Sequence, residues 1–344
     1  MKKLLTTTAS LIALGVLAPL SNAEDGILGV TCESPPPVHC ALGDCAAKTA
    51  VRGNAKDPLT GREYFLDYPC DLKPDEDIVF ILNIHGAGSI GNWQRHYFPA
   101  MDYKEKYRLV VATATAEGGG SMGGGRNIRM WMPDKDDAHL QNITNQVIEA
   151  FGKNNIKSFW LAGHSQGGMT SQRLVCTDFF ADKVDGVLSL SGGRVGGVQM
   201  VSRFGPPLPD GSPPPARERP MPSGNLPACN FSHIYTTGEH EIVELPDSSS
   251  LAKKFNCDAP VTSKIVDTQA GWVEDSGRKG YPVWGMSAGP GTAEESLYAN
   301  CDDGRVVADV VRINKGHTEG LEPLVTERIV ELMVSAKGGK LSGM

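Results

Sequence analysis

The sequence has no surplus of positive charge: Lys and Arg total 33 against 40 Asp and Glu, a formal net charge of −7. An acidic chain has no general attraction to nucleic acid or anionic lipid, and no basic stripe or aromatic-rich RNA motif offsets it. There is no C-x-x-C pair and no H-E-x-x-H, so the common zinc spacings are missing. No apolar run reaches the length that spans a bilayer; the candidate, Leu11 to Leu20, is too short. With 40% hydrophobic and 21% charged residues, the 344-residue chain is neither disordered overall nor membrane-spanning. It can bury a full core as one large domain or two small ones.

The first 23 residues read as a secretory signal peptide. Lys2 and Lys3 give a positive start, Leu11 to Leu20 an apolar centre, and Ser21-Asn22-Ala23 small residues at the cleavage point, with Glu24-Asp25 after it. Its removal takes away two of the 33 basic residues and none of the 40 acidic ones, lowering the net charge from −7 to −9. A secreted or periplasmic location follows. All eight Cys lie beyond this segment, and an even count in an exported chain implies disulfides. Local pairs are expected within the Cys32 to Cys70 cluster and another among Cys229, Cys257 and Cys301. Cys176 is read as a buried free thiol or as a partner to one of these.

Residues 24–60, rich in Cys, Pro and Gly, read as an irregular segment stapled by disulfides, ahead of a catalytic domain at 61–344. Arg62 to Tyr68 has strand character. Asp77 to Ile84 and Leu109 to Thr113 are continuous apolar runs, the signature of strands buried on both faces of a parallel sheet. Asp137 to Phe151 has helical spacing, with Leu140, Ile143, Val147, Ile148 and Phe151 on one side. Phe159 to Ala162 is a short strand, Gly168 to Cys176 a helix, and Val184 to Leu190 the next strand. His233 to Thr236 and Arg305 to Ile313 continue the sheet, and Leu324 to Val334 closes it with a helix. Alternation of this kind predicts an α/β class chain with a doubly wound, mostly parallel sheet. Two irregular insertions interrupt it. One, at about 203–228, holds nine Pro between Pro206 and Pro227 and cannot be helix or central strand. The other, at about 268–298, contains Trp272, Tyr281 and Trp284. Both are read as cap-like elements.

The chemistry gathers at Gly163-His164-Ser165-Gln166-Gly167. A G-x-S-x-G turn between a strand and a helix exposes its serine at the sheet edge. A serine hydroxyl is a weak nucleophile and needs a base, a carboxylate to orient that base, and donors for the oxyanion. His317, in the loop after the final strand, fits the base. The acid falls after the strand at 233–236: Glu241 first, Glu239 second, Asp247 third. A Glu there is one methylene longer than an Asp, so its loop must set back. The oxyanion donors are the amide of Gln166 and an amide of Ala87 or Gly88, in the Gly-rich turn His85-Gly86-Ala87-Gly88. His85 is read as structural, holding that turn by a hydrogen bond, and His164 as packed.

These residues resemble the α/β-hydrolases grouped with extracellular polyhydroxybutyrate depolymerases, feruloyl esterases and acetyl xylan esterases. The resemblance is carried by Asn83 to Gly88, Asp137, Gly163 to Met169, Arg173 to Cys176, Ser189 to Gly193, Gly238 to Glu241 and Gly316-His317. Hydrolases of oxidised polyvinyl alcohol are similar to the same group. The resemblance implies the α/β-hydrolase fold and ester hydrolysis through an acyl-enzyme without cofactor or metal. By it, Ser165 is the nucleophile, His317 the base, and Glu241 stands where the family has Asp. The chain departs from the family in that Glu, in its Pro-rich insertion, and in lacking Trp-Pro after His317. The expected partner is a small or polymeric ester substrate, with no nucleic acid and no membrane insertion. A β-diketone C–C hydrolase, an acyltransferase and a non-catalytic binding protein of the same fold remain as alternatives.

Overall fold

The computed structural model describes residues 26–38, 53–122, 126–196, 201–202, 210, 217–218, 226–242, 245, 248–271 and 289–343. The expected signal peptide, Cys40, Cys45, Asp247, the three insertion aromatics and most of both insertions lie outside these.

Ten strands form one sheet: β1 (Ala55–Lys56), β2 (Glu63–Asp67), β3 (Ile78–Ile84), β4 (Leu109–Ala114), β5 (Ile156–His164), β6 (Gly186–Leu190), β7 (Ser232–Gly238), β8 (Pro260–Val266), β9 (Thr292–Tyr298) and β10 (Val307–Arg312). Their spatial order is β1-β2-β4-β3-β5-β6-β7-β10-β9-β8. The run β4-β3-β5-β6-β7-β10 is parallel throughout. Both flanks are antiparallel. The swap of β3 and β4 in an otherwise sequential parallel centre, with an antiparallel β2 beside it, is the α/β-hydrolase arrangement.

Alternation along the central strands divides the core in two. Phe80, Leu82 and Ile84 face one side, where they meet Leu140, Ile143, Val147 and Phe151 of helix α2 (Pro133–Phe151). Val79, Ile81, Trp160 and Leu188 face the other, against Trp93 and Tyr97 of α1 (Gly91–Tyr97) and Val325, Ile329 and Met333 of α5 (Pro323–Ser335). Each such fully buried aliphatic contributes about 1.5–3 kcal/mol. Helix α3 (Gln166–Leu174) follows the serine turn, and the short α4 (Ser250–Lys254) follows β7.

The structure differs from the sequence reading at several boundaries. Helix α2 begins four residues before Asp137, because Pro133 at its first position needs no N–H partner there. Helix α3 begins at Gln166 rather than Gly168. Residues 292–298, read as part of an irregular insertion, are strand β9, and β8 was not anticipated at all. Five of the seven β8 residues are polar or lie largely in solvent, so no apolar run marks it. Val201–Ser202, just ahead of the first insertion, pairs antiparallel with Arg217–Glu218 within it.

Three disulfides are present among the described residues: Cys32–Cys70, Cys176–Cys229 and Cys257–Cys301. Cys176 is therefore a partner to Cys229 and not a free thiol. Among the described residues no helix is long and apolar enough to cross a membrane.

Candidate active site

Ser165 sits between β5 and α3 with φ 51° and ψ −119°, a left-handed turn conformation that a non-glycine residue adopts only when its surroundings enforce it. The enforcement is visible. The Ser165 N–H donates to the Leu190 carbonyl at the end of β6 (2.7 Å), and the Ser165 carbonyl accepts from Met169 (3.1 Å). A Cβ on Gly163 would run into the backbone of Gly167, and one on Gly167 would lie 2.6 Å from the His85 carbonyl oxygen. Both positions are closed to any side chain.

The turn at 85–88 lies against this elbow. His85 is fully buried; its Nδ1–H donates to the Gly86 carbonyl (2.6 Å) and its Nε2 accepts from the Ala116 N–H (3.0 Å). Burial drives its proton affinity down to a pKa of about 3, so it is a neutral structural ring, as expected. Of the two candidate amides here, that of Gly88 is engaged, donating to the Arg129 carbonyl (2.7 Å). The amide of Gln166 opens α3, where it has no intrahelical acceptor. The Gln166 side chain grips the backbone of Trp131, accepting from its N–H and donating to its carbonyl, both at 3.0 Å. The Trp131 indole in turn donates to the His85 carbonyl (2.8 Å). Residues 129–131 thus bridge the 85–88 turn and the start of α3.

His317 follows β10, and Glu241 ends a single 3-10 turn (Glu239–Glu241) after β7. The structure brings the two together: His317 Nδ1 and Glu241 Oε2 are 2.6 Å apart, both side chains buried. The other carboxylate oxygen accepts from Ser191 Oγ (2.7 Å) and from the Gly238 N–H (2.9 Å). The 3-10 turn is what draws the longer Glu side chain back into this position. With Nδ1–H donated to the carboxylate, Nε2 is the proton-free nitrogen. Glu239 goes elsewhere; its carboxylate accepts from the Asn314 N–H (2.8 Å).

Three contributors escaped the sequence reading. His164 is packed, as expected, against Trp93, Tyr97 and the His317 ring, whose centroid is 4.6 Å away. Beyond packing, its Nε2–H donates to the His317 carbonyl (2.8 Å). Burial, then the nearby His317, hold its pKa well below that of a free imidazole. Ser191 braces Glu241. Arg312, fully buried, pairs with Glu322 (Nε to Oε2, 2.9 Å) and donates to the carbonyls of Glu319 and Gly320 (2.8 and 2.7 Å). That pair closes the loop carrying His317, and Glu319 accepts from the Gly316 N–H within it (3.0 Å). The sequence signal for His164 and Ser191 was their place beside Ser165 and after β6; for Arg312 it was a cation ending the last central strand.

Among the described residues no group of three or more His, Cys, Asp or Glu is arranged to hold a metal ion.

No protein-family model and no curated protein sequence matches the chain. Solved structures similar to it include an acetyl xylan esterase from Aspergillus awamori, 12% identical, covering 79% of this chain and 94% of that one with a TM-score of 0.45. An S-formylglutathione hydrolase from Staphylococcus aureus is 17% identical, with 40% of this chain and 55% of that one covered and a TM-score of 0.31. Esterase 2 of Thermogutta terrifontis is 16% identical, with coverages of 51% and 66% and a TM-score of 0.29.

Proposed function

We propose that the protein is an exported serine hydrolase that cleaves carboxylic esters, with Ser165 as nucleophile, His317 as base and Glu241 as the acid that orients it. The observation that carries this reading is the 2.6 Å contact between His317 Nδ1 and the buried Glu241 carboxylate, reached from the loop whose ring packs beside the Ser165 elbow.

In this reading Ser165 Oγ attacks the ester carbonyl carbon while His317 Nε2 takes its proton. The carbonyl electron pair moves onto oxygen, and the Gln166 and Ala87 amides receive that oxyanion. The C–O bond to the alcohol then breaks and His317 returns the proton to the departing alkoxide. Water, deprotonated by the same nitrogen, attacks the acyl-enzyme; the acid leaves and Ser165 is restored. Glu241 stays ionised throughout and stabilises the imidazolium. The engagement of the Gly88 amide by Arg129 favours Ala87 as the second donor. Disulfides and a leader-like N-terminus support action outside the cytoplasm, and polymeric or aromatic esters are the substrates we favour there.

The test is fluorophosphonate labelling of the protein and its Ser165→Ala variant, then a screen of p-nitrophenyl esters, feruloyl esters, polyhydroxybutyrate and a β-diketone. Labelling lost in the variant, with turnover of esters, is the expected result. Labelling that survives Ser165→Ala overturns the assignment; turnover of the diketone alone replaces ester cleavage with C–C cleavage.

A further inference from the structure

Nine arginines have described side chains. Eight of them, Arg62, Arg95, Arg108, Arg173, Arg194, Arg305, Arg312 and Arg328, have a carboxylate within 4.0 Å. The ninth, Arg129, has none: among the described residues its guanidinium has no ion-pair partner, and its Nε is shut off from solvent without a hydrogen bond. The side chain is half-buried, and Nε is the one of its three nitrogens closed off from both solvent and a partner. Removing a cation from water without a counter-charge is unfavourable, which is why such groups are normally paired.

The position of this cation gives it a use. Its own carbonyl accepts the Gly88 N–H (2.7 Å), so its backbone lies against the turn that offers Ala87 as an oxyanion donor. Two residues on, Trp131 is held by Gln166. Its stem runs along Gly118, a left-handed glycine (φ +102°) whose missing Cβ would sit 3.3–3.6 Å from Arg129 Cα, Cβ and Cγ. Glycine there leaves the groove that the stem occupies. The charge is close enough to His85 to help burial depress that ring's proton affinity.

We propose that Arg129 is a substrate-recognition residue that receives a carboxylate carried by the ester, on its acyl or its alcohol part. The inference rests on the ester-hydrolase reading above. The bound carboxylate supplies the counter-ion that none of the described residues provides, in a fork of N–H donors suited to its two oxygens.

The test compares anionic esters with neutral partners of similar shape in the same preparation. Monoethyl adipate against ethyl hexanoate probes the acyl side, and 4-acetoxybenzoate against 4-acetoxybenzamide the alcohol side. We expect the anionic member of one pair to have a kcat/KM at least about tenfold higher, the gain of a charge-assisted hydrogen bond. That ratio falls about tenfold or more in Arg129→Gln and recovers in part in Arg129→Lys. The pair that responds names the side of the ester that carries the carboxylate. A ratio at or below one in both pairs, or a ratio unchanged in Arg129→Gln, overturns the proposal. Calorimetry of the same compounds with Ser165→Ala protein, with and without Arg129→Gln, reads binding without turnover. A carboxylate preference there with no turnover by wild-type protein would sink the ester-hydrolase reading and leave Arg129 as an anion site; turnover without any preference does the reverse.

Discussion

Replacing Glu241 with Gln isolates what the carboxylate does for His317. The side chain keeps its length, and the amide oxygen can still accept from Ser191 Oγ and the Gly238 N–H, now at 2.7 and 2.9 Å from Oε1. The amide nitrogen then takes the place of Oε2, 2.6 Å from His317 Nδ1. Two donors cannot face each other, so the imidazole must move its proton to Nε2, and Nε2 can no longer accept one from Ser165. Such a tautomer reversal in a serine triad lowers kcat about 10⁴-fold, equivalent to about 5.4 kcal/mol of transition-state stabilisation. The fold should lose only about 1–2 kcal/mol, one charged hydrogen bond exchanged for a neutral one. Steady-state hydrolysis of p-nitrophenyl butyrate, beside urea unfolding of the same preparation, measures both. The equivalent Glu239→Gln change, which touches only the Asn314 amide, should alter kcat less than about threefold. A Glu241→Gln enzyme that keeps more than a tenth of wild-type kcat, or a Glu239→Gln enzyme equally impaired, refutes the reasoning.

Other consequences are open to the same assays. His164→Phe preserves the ring packing but deletes the donor to the His317 carbonyl, so kcat should fall about tenfold with KM little changed, and His164→Gln should restore part of it; a KM effect alone would contradict a positioning role. Arg312→Met leaves Glu322 buried opposite only Lys315, and urea unfolding should show a loss of about 3–5 kcal/mol. His85 and His233, both depressed to about 3 by burial, and His164, depressed likewise, stay neutral in the fold. The unfolded chain protonates them below about pH 6.5. For His85 and His233 that contribution is therefore complete above that pH and is lost as pH falls toward 3, by about 1.4 kcal/mol per pH unit for each ring, and His164 acts in the same direction. Asp102 and Asp185, raised by burial, act with the opposite sign, so the net slope between pH 7 and 5 is the quantity to measure. Loss of Cys176–Cys229, which closes a separation of 53 residues, should cost about 4 kcal/mol, read by comparing a Cys176→Ser, Cys229→Ser double variant with wild type.

How far the sequence carried depends on how local each signal is. Ile78 to Ile84 and Leu109 to Ala114 announce central parallel strands because burial on both faces leaves an unbroken apolar run. The elbow announces itself because two glycines and a serine must follow a strand at fixed spacing. Strand β8 was invisible because an edge strand buries almost nothing, and β9 because it buries only Ala293, Glu295 and Tyr298, with no regular apolar alternation. The order of serine, acid and base along the chain left Glu241, Glu239 and Asp247 as acids; what sets the two glutamates apart in space is a 3-10 turn that no residue pattern declares. His164 and Arg312 were out of reach for another reason. The acceptor of the first is 153 residues away, and that of the second is a carboxylate with no motif of its own. A backbone acceptor has no spacing rule when 153 residues separate it from its donor, and Glu322, only ten residues beyond Arg312, meets it across an irregular loop that carries no pattern.

The bond from His164 to the carbonyl of His317 has a mechanical consequence. A nucleophile on one loop and a base on another would ordinarily fluctuate independently, and their separation would inherit the scatter of both. Here the residue before Ser165 holds the main chain of His317, the proposed base, so a displacement of the 313–322 segment should carry the elbow with it. With Ser165 and His317 as the proposed pair, the expected result is a gap between them that varies less than the position of either group.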